Sequence, residues 1–206
     1  MAETLQDFPL FPLGLVLLPG EVVPLHIFEE RYQVMIDECL DQGREFGIVW
    51  LADDELKHVG CTAAITELLE RMDDGRMNIL CRGSSPFRLL RRIDTLPYPA
   101  GDIELLDDAD EEPSDGTAEE ARERYADLVQ RVTDERPPER DVAAMGAYEM
   151  AGSIDFAPEA KQGLLEARSE EERMQLITEL FGTTMKRLDY VERSLERARS
   201  NGRVRP

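Results

Sequence analysis

Phe8–Tyr32 reads FPLFPLGLVLLPGEVVPLHIFEERY, and the way this stretch divides decides the fold. Pro9, Pro12, Pro19 and Pro24 punctuate it. Between them lie two short apolar runs, Leu13–Leu18 and Val22–Phe28, separated by the turn dipeptide Pro19-Gly20. Proline has no N–H to donate, so these prolines suit edge strands or bulges better than a central ladder. Beyond Phe28 the period becomes helical through Tyr32, Val34, Met35, Ile36, Cys39 and Leu40. Glu29 and Glu30 stand at the start of that helix, where its dipole favours acids. The stretch therefore predicts strand, turn, strand and a helix that closes over the strands.

Working outward, Gly43 is placed to cap the first helix. Phe46–Leu51 (FGIVWL) is an apolar run of strand length, and Ala52–Lys57 reads as an acidic loop. Val59–Met72 is long for one strand, and Gly60 marks a candidate bend. Asp73-Asp74-Gly75-Arg76 is a hairpin turn. Met77–Arg82 returns from it as a strand, Ser84-Ser85 reads as a turn, and Pro86–Ile93 and Tyr98–Leu106 read as further strands. A hairpin folded about Asp74 and Gly75 sets Cys61 across from Arg88 and Cys81 across from Leu68, too far apart along the ladder to bridge.

From Thr117 the period is helical. Ala121–Thr133, Asp141–Ser153, Ala157–Ala167 and Ser169–Arg199 read as helices, the third with Pro158 in its first turn and the fourth with Ser169 and Glu172 as a capping box. In the fourth, Met174, Phe181, Leu188 and Leu195 recur every seven residues, with Ile177, Thr184 and Val191 between them, which makes a seam for helix packing. The chain thus divides into residues 1–107, mainly β with one helix, an acidic linker over residues 108–116, and a helical subdomain over residues 117–206.

The chain of 206 residues is 42% apolar and 33% charged, enough for a globular core. Its formal net charge of -20 opposes binding of nucleic acid through charge. Eleven acids and one base, Arg122, lie between Asp102 and Glu123, a net of -10, which reads as a solvated acidic segment. Cys39, Cys61 and Cys81 are odd in number and share no CxxC spacing. They fit buried free thiols in a reducing cytoplasm better than a disulfide frame or a zinc site. The opening MAETLQDF lacks a basic n-region, and no signal peptide or membrane span is expected.

Motifs for chemistry are missing. There is no GxxxxGK[ST], no HExxH and no GxSxG. His26 lies in an apolar strand and reads as a core or sheet-face residue, and His58 as a solvated one. No metal, cofactor or catalytic residue is assigned. Trp50, the single tryptophan, is the one candidate for a peptide-binding groove, with core packing as its default.

The motif PLFPL…VLLPGEVVPLHIFEERY closely resembles the opening of the Lon N-terminal domain, the substrate-recognition domain of ATP-dependent Lon proteases. The resemblance runs on through FGIV, VGCTAAI, the hairpin, CRGSSPFRLL and KQGLLEARSEEERMQLITELF, and so spans nearly the whole chain. One departure is Glu30, where free-standing members often carry proline. The resemblance implies an α+β fold: a six-stranded PUA-like pseudobarrel with one helix, followed by a helical bundle. It also implies a non-catalytic module for unfolded client proteins or peptides, without the ATPase and protease modules of full-length Lon. A protease or chaperone is a further candidate partner. No membrane partner is expected, and the expected state is a monomer or weak dimer. An adaptor that docks through the acidic segment or the last helix is the alternative. RNA binding through a basic face at Arg82, Arg88, Arg91 and Arg92 is the remote one. On this reading Phe8–Tyr32 is scaffold, and the contact surface lies elsewhere on the barrel or at its junction with the helices.

Overall fold

The structure is a computed structural model that describes residues 3–108 and 112–201. Six strands form its sheet: β1 (Thr4–Leu13), β2 (Val22–Ile27), β3 (Phe46–Ala52), β4 (Glu55–Arg71), β5 (Met77–Ile93) and β6 (Ala100–Leu105). The helices are α1 (Glu30–Gln42), α2 (Asp115–Thr133), α3 (Glu139–Val142), α4 (Ala147–Gly152), α5 (Pro158–Glu166) and α6 (Glu170–Asn201). Of the acidic segment expected over residues 108–116, residues 109–111 lie outside the described residues, and Ser114 already caps α2.

The strands run in the order β2-β5-β4-β3-β1-β6, and β6 pairs back onto β5 to close a barrel. Closure works because β5 is long and changes partners. Met77–Arg82 lies beside β2, and Phe87–Ile93 lies beside β6. Gly83–Pro86, expected as a turn, instead carries the strand between its two partners. Gly83 is where the segment before β2 crosses it: Gly83 N donates to Glu21 O at 2.9 Å, and a Cβ at Gly83 would lie 2.2 Å from Leu18 O.

The first strand differs from its expected place. It runs through Pro9 and Pro12 and ends at Leu13, and residues 14–18 are not a strand but a loop that buries Val16, Leu17 and Leu18. β1 tolerates its prolines because it is shared between neighbours. Its first part pairs with β6 through a bulge between Leu5 and Phe8, and Leu10–Leu13 pairs parallel with β3. Pro24 falls on β2, which pairs on one edge only.

The β4–β5 hairpin turns at Asp73–Gly75 as the sequence predicts, with Arg71 opposite Met77. Two bulges on β4 and one on β5 then shift the register, so Cys61 stands opposite Pro86 and Cys81 opposite Ile65. All three cysteines are free and buried. The acidic loop before β4 shrinks to a tight turn in which Asp53 and Asp54 both take left-handed backbone, with φ of 47° and 67°.

The barrel core holds Phe8, Leu10, Val49, Phe87, Leu89 and Ile103. Phe87 is fully buried, and its ring occupies the space left by two glycines of neighbouring strands. A Cβ at Gly47 or Gly60 would come within 2.6 Å or 2.7 Å of Phe87 Cζ. Outside that core, α1 closes over β1 as expected: Tyr32 packs on Phe11 with ring centroids 4.1 Å apart. Gly43 ends α1 in left-handed backbone.

Two compact units emerge. One holds the barrel, α1 and the helical segment Tyr148–Ser169, and the other holds Glu112–Ala147 and the chain from Glu170 on. The units are therefore not cut at a single point along the sequence. Lys161 of α5 joins the barrel through a largely sequestered ion pair with Glu21 at 2.5 Å, and Gln162 Nε2 donates to Val59 O at 3.2 Å. In the second unit α2 and α6 run side by side. Glu171 accepts from Ser114 N and Thr117 Oγ1, both at 2.8 Å, where the helices begin. Tyr125 meets Phe181 at 5.7 Å further along. The seam of α6 is buried at Met174, Ile177 and Phe181 and half-buried at Leu188, whereas Val191 and Leu195 are exposed among the described residues. The helix expected over Asp141–Ser153 is two short turns, α3 and α4.

Two substitutions test this packing. Gly60→Ala should cost about 1–3 kcal/mol, because the new methyl meets Ile48 O at 2.5 Å as well as Phe87. Lys161→Met should cost about 1–3 kcal/mol by leaving the sequestered Glu21 carboxylate without its cation. Urea unfolding midpoints measure both, and unchanged midpoints would contradict the packing described.

Candidate functional site

The C-terminal ends of β1, β2, β3 and β5 converge at one end of the barrel, and there they leave a cleft of about 530 Å³. Its apolar lining comes from Leu10–Leu13 of β1, Leu25 of β2, Leu51 of β3, Leu56 of β4, Ile93 of β5 and Ala100 of β6. Phe28 and Tyr32 add aromatic surface from the junction of β2 and α1. Phe28 is 62% exposed and Leu51 40%, so large apolar side chains face water at the mouth. Folding gains nothing from such exposure.

Local structure fixes the Phe28 position. Gln33 Nε2 donates to Phe28 O at 3.0 Å, which holds the chain as it enters α1. The ring of Phe28 stacks on His26, with centroids 5.9 Å apart and planes 22° apart. His26 is held in turn. Asn78 Nδ2 donates to Glu70 Oε2 at 3.0 Å, so Asn78 Oδ1 is left to accept from His26 Nδ1 at 2.7 Å. His26 is exposed, as a sheet-face residue would be, and no nucleophile stands among its hydrogen-bond partners.

The charged groups sit around the mouth. Arg31 pairs with Glu29 at 2.7 Å and lies over the Tyr32 ring at 4.7 Å. Burial raises the Tyr32 phenol above its ordinary value, against the pull of Arg31. Asp54, Arg92 and Asp94 also line the cleft, and none has an ion pair among the described residues.

Trp50 is on the other side of its strand. It is half-buried beneath Lys57, whose Nζ lies 5.6 Å from the ring, and it is not among the residues lining the cleft. Its neighbour Leu51 lines the cleft instead, as strand alternation requires. More than half of the lining comes from the Phe8–Tyr32 stretch expected to be scaffold alone. The available signal was a large aromatic, Phe28, between an apolar strand and an acidic helix start. It has no core to enter there.

The remaining candidates form no catalytic arrangement among the described residues. Ser84 Oγ donates to Glu45 Oε1 at 2.6 Å, with no lysine or histidine as partner. Burial pushes the Cys61 thiol up and the Cys81 thiol up to about 12. It also raises Cys39, where Arg44 opposes it. Among the described residues no group of three or more His, Cys, Asp or Glu side chains could hold a metal ion, and no helix is long and apolar enough to cross a membrane. The arginine face is largely committed: Arg82 donates to Gly20 O, Arg88 pairs with Glu104 at 3.0 Å and Arg91 with Asp102 at 2.7 Å, while Arg92 lines the cleft.

Comparison with known proteins adds a family. The profile of the ATP-dependent protease La (LON) substrate-binding domain matches residues 7–181. A Lon protease of Heliobacterium modesticaldum is 25% identical over 91% of this chain and 25% of its own length. A Lon protease of Anaeromyxobacter dehalogenans is 27% identical over 84% of this chain and 22% of its own. The chain thus spans about a quarter of the curated relatives it matches. Among solved structures, the Lon N-terminal domain protein from Xanthomonas campestris superposes with a TM-score of 0.64 at 24% identity, covering 83% of this chain and 96% of that one. The N-terminal domain of a Mycobacterium avium complex Lon protease gives 0.63 at 19% identity, covering 87% and 98%. These two likenesses establish the α+β pseudobarrel fold.

The buried thiols and Tyr98 predict a pH response. Burial first, then the hydrogen bond to Glu38, holds the Tyr98 phenol up to about 12. Cys81 and Tyr98 are thus raised above their ordinary values of 9.0 and 10.0, so folding favours their neutral forms. Their contribution is full below those ordinary values and is lost as pH climbs from about 9 through about 12. Urea midpoints should hold from pH 7 to about 9 and fall by about pH 10.5. A midpoint that rises over that interval would contradict the assignment.

Proposed function

The chain belongs to the family of Lon substrate-binding domains, and from that premise we propose that it is a non-catalytic module that captures extended apolar segments of unfolded proteins in the cleft beside Phe28. The observation that carries this is the exposure of Phe28 and Leu51 at the mouth of an apolar cleft. An extended segment presents one large side chain to such a cleft while its neighbours run along the rim, and the aromatic wall supplies contact area at a low entropy cost. Catalysis has no part in this reading, because no side chain at the cleft has the nucleophile–base geometry that bond cleavage demands. Three free, buried thiols suit work in the reducing cytoplasm.

Phe28→Ala tests the reading. The side chain is largely exposed, so the urea midpoint should stay where it is. Affinity for a reduced, permanently unfolded protein should fall about tenfold or more, as for the loss of an aromatic anchor. Trp50→Ala should leave that affinity within about twofold, since 1.4 kcal/mol corresponds to a factor of ten and Trp50 stands away from the cleft. Equal binding by Phe28→Ala and the unaltered chain would sink the cleft as the site.

A further inference from the structure

We infer that the segments accepted by this cleft are cationic as well as apolar: a large apolar residue enters beside Phe28, and lysine or arginine residues flank it. This rests on the cleft being the client site. The inference comes from where the charge lies. The unit that contains the cleft, residues 1–111 with 148–169, carries 27 Asp and Glu against 11 Lys and Arg, a net of -16 out of the -20 of the whole chain. The second unit is left with -4, the difference between the two. The acidic character of this protein is therefore a property of the half that holds the cleft.

At the mouth the same sign prevails. Arg31 is neutralised by Glu29 at 2.7 Å. The other charged groups of the lining are two carboxylates, Asp54 and Asp94, and one cation, Arg92. None of the three has an ion pair among the described residues, so an arriving charge displaces no internal partner. Asp54 belongs to the left-handed turn between β3 and β4, where Asp53 and Glu55 adjoin it, giving three successive carboxylates. At physiological salt the field of distant charges is screened beyond about 8 Å, so these nearby groups set the local sign. Apolar walls of low polarisability then focus the field within the cleft. A lysine-flanked segment meets unpaired carboxylates, whereas a glutamate-flanked one meets like charge and a single arginine.

The test uses the full chain and three synthetic peptides that share one Leu-Phe-Leu centre and differ only in flanks of lysine, serine or glutamate. Fluorescence anisotropy titrations at about 20 mM and about 300 mM NaCl read the affinities. The expected order is lysine, serine, glutamate, with lysine over glutamate by about tenfold or more at low salt and by several-fold less at high salt. The double variant Asp54→Asn with Asp94→Asn should lose most of that preference. Asparagine tolerates the left-handed backbone at position 54, so the turn survives the change. Equal affinity for the three peptides, a preference for glutamate, or a lysine preference unchanged in the double variant would overturn the inference. Phe28→Ala separates the two claims. If it weakens all three peptides while flanks make no difference, the cleft stands and its charge selectivity fails. If it weakens none, or if no peptide binds, the cleft itself fails as the site and the selectivity with it.

Discussion

Everything in the first unit depends on one steric fit: the ring of Phe87 lies where two neighbouring strands carry no side chain. Gly47 on β3 and Gly60 on β4 leave that space, and a Cβ at either would stand within 2.7 Å of the ring. Gly47 sits on the strand that pairs with β1, and Gly60 on the strand that pairs with β5. The barrel can therefore close to a small radius around a large aromatic. Phe8 meets the same ring edge-on at 6.3 Å, which ties the first strand into the arrangement. Burying the Phe87 side chain contributes about 1.5–3 kcal/mol from solvent transfer alone.

Closure has a consequence at the barrel's end. β5 passes from β2 to β6 without a turn, so β2 is left with one partner and an open edge. The chain leaving β2 must then reach α1 outside the closed ring. Phe28 sits on that path, where there is no core for it to enter, and it stays in water on top of His26. The cleft follows from how the ring closes. α5 is held on the barrel by Lys161, which pairs with Glu21 ahead of β2, and by Gln162, which donates to Val59 O of β4, although α5 is far from the barrel strands in sequence.

Much of the fold could be read from the residues because its signals are local. Gly43 as a helix cap, the Asp73–Gly75 hairpin and the first-turn Pro158 all act within a few residues of themselves. What was not legible depends on distant partners. Leu13–Leu18 is as apolar as a strand, yet beyond Leu13 it is a loop that buries Val16, Leu17 and Leu18, because β3 and β6 take up the residues up to Leu13. Gly83–Pro86 looks like a turn until the need to span two partners keeps it extended. The register of β4 slipped through bulges that no single residue announces. In the site, an apolar strand residue reads the same whether it faces core or cleft, so Trp50 and Leu51 could be told apart only by the strand's orientation. Phe28 was hidden for a related reason, since its exposure is set by the topology around it.

The chain belongs to the Lon substrate-binding family, and the proposed client capture lies at the β2–α1 end of the barrel, where the cleft is. Hydrogen–deuterium exchange of the full chain, with and without a reduced and carboxymethylated unfolded protein, locates the contact without altering any residue. The account predicts slowed exchange over residues 26–33, 51–56 and 92–94, with the hairpin tip at residues 72–76 unchanged. Protection confined to α6 or to the hairpin, with residues 26–33 unaffected, would contradict it.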